Sequence, residues 1–124
     1  MELPFRYILT VSELTQEIKD ILEEKFPDIW VEGEVSNLRI PPSGHIYFTL
    51  KDNFSQIRAV LFKMQARALR FVPEDGLQVI CRGRVGLYEK RGDYQLILET
   101  IEPKGIGALQ LAFLQLKERL EKEG

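Results

Sequence analysis

The sequence has one cysteine (Cys81), one histidine (His45) and one tryptophan (Trp30). A lone cysteine excludes an intrachain disulfide framework and fits a reducing compartment. A lone histidine excludes a metal site built on several imidazoles. No apolar run approaches the length of a membrane span. The stretch from Met1 to Tyr7 lacks the charged and apolar regions of a signal peptide. The expectation is a soluble, cytoplasmic protein with no cofactor and no membrane partner. Hydrophobic residues make up 44% of the 124 positions, enough for one packed core and one main globular unit.

Net positive charge is also lacking. The formal charge is -2, which at first sight excludes a nucleic-acid binder. Its distribution reopens that class. Residues 1–29 hold 3 basic and 7 acidic side chains, whereas residues 36–91 hold 10 basic and 4 acidic ones. A positive face on an acidic chain meets the requirement for phosphate contacts.

Thr10-Val-Ser-Glu13 has the pattern of a capping box, in which the threonine hydroxyl and the glutamate each satisfy an amide at a helix start. Val11, Leu14, Ile18, Ile21, Leu22 and Phe26 follow at spacings of three and four, as one helical stripe. Pro27 ends it. The opposite face is acidic (Glu13, Glu17, Asp20, Glu24), so the stripe is expected to pack on the domain body.

The period then changes to two. Val31, Gly33 and Val35 alternate with Glu32, Glu34 and Ser36. Pro41-Pro42-Ser43-Gly44 breaks the strand. Ile46, Phe48 and Leu50 alternate with His45, Tyr47, Thr49 and Lys51, and a turn at Asp52-Asn53 leads to a third strand over residues 56–62. Residues 63–71 are rich in alanine and arginine and read as a short helix. A long strand over 77–88, a loop over 89–93 and a fifth strand over 94–101 follow, then an amphipathic helix over 107–123. In that last helix Leu109, Ala112, Phe113, Leu116 and Leu120 share one side. It either packs on the body or serves as a connector.

Five short strands with a helix between the third and fourth is the order of an OB-fold barrel. The fold class is therefore mainly β with flanking helices. The expected division is a helical extension over 1–29 packed on the barrel, the barrel over 30–105 and a helix or connector over 106–124.

Several segments carry a family likeness. Val31-Glu-Gly-Glu-Val-Ser-Asn-Leu38, Ser43-Gly-His-Ile-Tyr-Phe-Thr-Leu-Lys-Asp52, Gln56-Ile-Arg58, Gly83-Arg-Val-Gly-Leu-Tyr-Glu-Lys-Arg-Gly-Asp-Tyr-Gln-Leu96 and Gly107-Ala-Leu-Gln-Leu-Ala-Phe113 resemble, in order, the N-terminal part of the exodeoxyribonuclease VII large subunit. The resemblance implies an OB-fold domain that binds single-stranded DNA. It further implies a catalytic domain following residue 124, an activity that degrades single strands from both ends, and small subunits bound through the missing part. The family's catalytic residues map to no position here.

An OB-fold grips single strands with the face of its second and third strands and the adjoining loops, by base stacking on rings and by cations along the backbone. The candidates on that face are Tyr47, Lys51, Arg58 and Phe62; the fourth strand adds Arg82, Arg84 and Tyr88, and the loops add Arg39, His45, Lys90 and Arg91. Each also has a plainer role. Tyr47 either stacks on a base or covers the barrel. Arg58, Arg82 and Arg84 either meet phosphate or pair with Glu32, Glu34 or Glu99. His45 either touches DNA or caps a turn. Trp30 adjoins an apolar run and is expected in the core. No set of converging carboxylates is legible for metal-assisted hydrolysis. Asp52 and Asp93 lie where aspartate serves turns, and Cys81 is expected to be buried and unreactive. The competing readings are an OB domain for RNA or tRNA, and an assembly domain with DNA bound elsewhere.

Overall fold

A computed structural model describes residues 6–123. The ends of the two expected flanking segments, residues 1–5 and Gly124, lie outside the described residues. The elements are α1 (Val11–Lys25), β1 (Ile29–Arg39), β2 (Ile46–Lys51), β3 (Gln56–Leu61), α2 (Lys63–Arg67), β4 (Gln78–Tyr88), β5 (Asp93–Pro103) and α3 (Ile106–Glu123). The strands close into a barrel in the order β1-β2-β3-β5-β4, with β4 returning to β1. All pairs are antiparallel except β3 with β5. This is the five-stranded arrangement expected, and closure leaves no long sheet edge.

Alternation explains the barrel. Val35, Phe48, Leu50, Leu61, Val79, Cys81, Leu96 and Leu98 are buried inside. Each large apolar side chain withdrawn from water stabilises the fold by roughly 1.5–3 kcal/mol. Burial pushes the Cys81 thiol up to about 12. The bend of β4 is made where its pairing with β5 slips between Arg82 and Gly83. A Cβ at Gly83 would strike the backbone of Ile97 and lie 2.8 Å from Leu98 Cα, so the strands approach closely only because the residue is glycine.

The helices lean on the barrel by one edge of their apolar stripes and leave most of each stripe exposed. The α1 start is capped as expected: Glu13 N–H donates to Thr10 Oγ1 at 3.1 Å and Thr10 N–H to Glu13 Oε1 at 3.2 Å. Its contact with the body is with β4, through half-buried Leu22 and an ion pair between Lys19 and Glu89 at 2.8 Å. Val11, Leu14, Ile18 and Ile21 stay exposed. Likewise α3 uses Ala108, Leu111 and Ala112 against the core, while Leu109, Phe113, Leu116 and Leu120 stay exposed. Helical spacing identifies a stripe but not the neighbour that covers it. The second helix is shorter than expected, Lys63–Arg67 in place of residues 63–71, because bends replace it before Phe71, which is itself buried.

Candidate nucleic-acid interface

Register determines which side chains share a wall, because side chains on directly paired residues point to the same side of a sheet. Tyr47 on β2 pairs with Val60 on β3, Val60 with Ile97 on β5, and Ile97 with Arg84 on β4. Arg39 on β1 pairs with Tyr47. The next row runs Thr49, Arg58, Gln95 and Gly86. Tyr47, Arg58 and Arg84 therefore all point outward: Tyr47 and Arg58 sit on neighbouring strands, and Arg84 lies two strands further round the closed barrel. Val60 is buried yet lies outside the core cluster. With Ile97 it forms an apolar strip between Tyr47 and Arg84.

Arg39 owes its place to a bulge. The β1–β2 pairing slips between Ser36 and Arg39, and Asn37 adopts φ 53°, where asparagine is better tolerated than most residues. Leu38 N–H donates to Asp75 Oδ1 at 2.9 Å, which ties the bulge to the loop before β4.

One end of the wall carries an aromatic cluster. The His45 ring meets Tyr47 edge-on at 6.2 Å and Phe62 edge-on at 5.5 Å. Its Nδ1 accepts the Lys63 backbone N–H at 2.8 Å, at the first residue of α2. An amide that would otherwise lack a partner at a helix start is thus satisfied by the imidazole. His45 orients both rings and caps α2. Phe62 is 42% exposed beside it.

The opposite end carries the β4–β5 loop. The Arg91 guanidinium sits 4.8 Å from the Tyr88 ring centroid, and Lys90 is exposed next to it. Also at this end is the turn between β2 and β3. Asp52 Oδ1 accepts the N–H groups of Phe54 and Ser55, both at 2.8 Å. Those bonds hold its carboxyl below the usual carboxylate range.

Two candidate cations are engaged within the protein. Arg82 Nε and Nη2 donate to the two oxygens of Asp28 at 2.9 and 2.8 Å. Its guanidinium also lies 5.6 Å from the Trp30 ring centroid. Trp30 is 54% exposed on the barrel's outside, not in the core, because its register partner is Arg82 on the outward face. Lys51 pairs with Glu34 at 3.5 Å. Glu32 is bonded to Lys104. Among the described residues, neither Arg58 nor Arg84 is ion-paired. The wall also holds Thr49 and Gln95, two polar residues not singled out in sequence. The alternation of β2 and β5 was the signal for both.

A closed five-stranded barrel with a helix between β3 and β4 defines the OB class. The chain belongs to the family of OB-fold nucleic acid binding domains, whose pattern matches residues 9–102. It is 62% identical over 125 residues to the exodeoxyribonuclease 7 large subunit of Geobacter metallireducens, a match covering 100% of this chain and 28% of that protein. It is 62% identical over 117 residues to that of Geobacter sulfurreducens, covering 94% and 26%. It is 56% identical over 119 residues to that of Pseudomonas aeruginosa, covering 96% and 26%. The chain thus spans about a quarter of the length of these curated relatives. A solved asparaginyl-tRNA synthetase from Pyrococcus horikoshii superposes on 71% of this chain and 21% of its own, with a TM-score of 0.50 and 22% identity. That likeness concerns the fold alone.

Proposed function

We propose that this domain is the single-stranded-DNA-binding module of an exodeoxyribonuclease VII large subunit. The observation that supports the proposal is that Tyr47, Arg58 and Arg84 all face outward from the barrel, with both arginines free of ion pairs among the described residues. Unpaired bases stack on Tyr47, and on Phe62 or Tyr88 at the ends. Arg58 and Arg84 follow the phosphates, with Arg39, Lys90 and Arg91 contributing from the loops. Stacking supplies roughly 1–3 kcal/mol per base and reads no sequence. Arg82 and Lys51 contribute less, because phosphate must first displace Asp28 or Glu34.

The names of the relatives support the nuclease context. In that reading, cleavage belongs to a catalytic domain outside these residues. The whole enzyme degrades single strands from both ends to oligonucleotides, and small subunits bind through parts other than this barrel. The barrel's task is to capture a strand and hand it on.

Fluorescence anisotropy of labelled oligo-dT, against RNA and duplex DNA of equal length, tests the proposal. Oligo-dT is expected to bind most tightly. With about four phosphates contacted, log affinity falls with log salt at a slope near -3. Tighter binding of RNA would move the domain to the RNA-reading class. Duplex binding equal to single-strand binding would remove the stacking account.

A further inference from the structure

We propose that Lys63 is a further contact for the strand. With Tyr47 and Phe62 it makes a subsite for one nucleotide, the base on the rings and the phosphate on the ammonium group. The proposal rests on the reading of the barrel as a single-strand binder and adds a cation that none of its strands carries. Lys63 is the first residue of α2. It is exposed and has no ion-pair partner among the described residues.

Two contacts fix its place. Its backbone N–H donates to His45 Nδ1 at 2.8 Å, and the same imidazole meets Phe62 at 5.5 Å and Tyr47 at 6.2 Å, edge-on to both. Its stem lies against Gly44, in the loop that joins β1 to β2. A Cβ on Gly44 would sit 3.3 Å from Lys63 Cγ, 3.7 Å from Cδ and 3.9 Å from Cβ. Gly44 also has φ 89°, a conformation that glycine adopts without strain. A lysine stem laid along the surface in this way keeps its charged end in water.

Sites for single strands combine rings that take bases with cations that follow the backbone. Around His45 both kinds stand together. Phe62 is 42% exposed and directly precedes Lys63 in the chain, so ring and cation are neighbours by covalent connection. His45 is the positioning residue, since one imidazole holds the two rings and the backbone of the cation. Arg39 is the register partner of Tyr47 and is exposed, so it brings a second cation to the same end of the barrel. An ammonium group meets phosphate as a point charge. The subsite therefore accepts any base, as the stacking account requires.

Anisotropy of labelled oligo-dT with the 124-residue chain, across a salt series, tests it. Lys63→Gln is expected to lower affinity about two- to fivefold at low salt, the range of one exposed ion pair. Its salt slope becomes shallower by about 0.7, one phosphate contact, while the urea midpoint stays that of wild type. Lys63→Arg, which keeps the charge, binds as wild type. Phe62→Leu keeps apolar bulk but removes the ring, and lowers affinity about fivefold. Because ring and cation hold the same nucleotide, Lys63→Gln with Phe62→Leu loses less than the product of the single losses. Lys63→Gln with Tyr88→Ala, at the far end of the barrel, loses the full product. Wild-type affinity and slope in Lys63→Gln, while Arg58→Glu with Arg84→Glu loses binding, overturns this inference and leaves the wider reading standing. If those two reversals also bind as wild type, both fall. Independent losses at Phe62 and Lys63 overturn the one-nucleotide subsite.

Discussion

His45 Nδ1 accepts the amide N–H of Lys63 at 2.8 Å, so the side chain at the start of β2 caps the helix that follows β3. The same ring sets Tyr47 and Phe62 at right angles to itself. His45→Ala is expected to cost about 1–2 kcal/mol, the value of a helix-start hydrogen bond. Urea denaturation measures it. His45→Asn, which keeps an acceptor, is expected to recover part of the loss.

The close approach at Gly83 predicts a larger effect. Gly83→Ala places a methyl group against the backbone of Ile97 and Leu98, which cannot rotate away. A destabilisation of about 1–3 kcal/mol or more is expected, as for overpacking elsewhere. Gly76→Ala serves as the comparison for conformational strain alone, since no heavy atom lies within 4 Å of its Cβ position but its φ is 88°.

Acid is expected to destabilise the domain through two named carboxylates. The Arg82 hydrogen bonds hold Asp28 below its usual range, and the Phe54 and Ser55 amides do the same for Asp52. Their ionised forms favour the folded state. That contribution is complete above the unfolded value of about 3.9. It is lost as pH falls through the depressed folded values. Thermal melts from neutral pH down to pH 2 are expected to show the decline. Asp28→Asn with Asp52→Asn should flatten the acid limb.

Cys81 is fully buried and its thiol is pushed up to about 12 by desolvation. At pH 8 it is therefore almost wholly protonated. Native protein should react with Ellman's reagent only as fast as the barrel opens, and urea should release one thiol at once. Rapid modification of folded protein would contradict the burial.

Much of the barrel was legible because strand alternation is a local signal. Ile46, Phe48 and Leu50 follow from a period of two, and the structure buries all three. Long-range pairings were not legible. Arg82 was expected either to meet phosphate or to pair with Glu32, Glu34 or Glu99; the structure pairs it with Asp28, which lies 54 residues away. Trp30 was expected in the core and lies outside it under that guanidinium, since one-residue parity decides between inside and outside. The helix stripes show the same limit. Spacing marked Val11, Leu14, Ile18, Ile21, Leu22 and Phe26 as a unit, but of these only Leu22 packs against the core, beside the Lys19–Glu89 ion pair.

The central claim is that one wall of the barrel holds a single strand. Its most direct test is the affinity of labelled oligo-dT for Arg58→Glu with Arg84→Glu, alone and with Tyr47→Ala, beside the wild type and a Lys25→Glu control of equal charge sign. The account predicts a loss of about tenfold or more for the two reversals, with a shallower salt slope. It predicts a further loss of roughly 1–3 kcal/mol when the ring is removed, while Lys25→Glu binds as wild type. Unchanged affinity in folded protein carrying all three wall substitutions would contradict it.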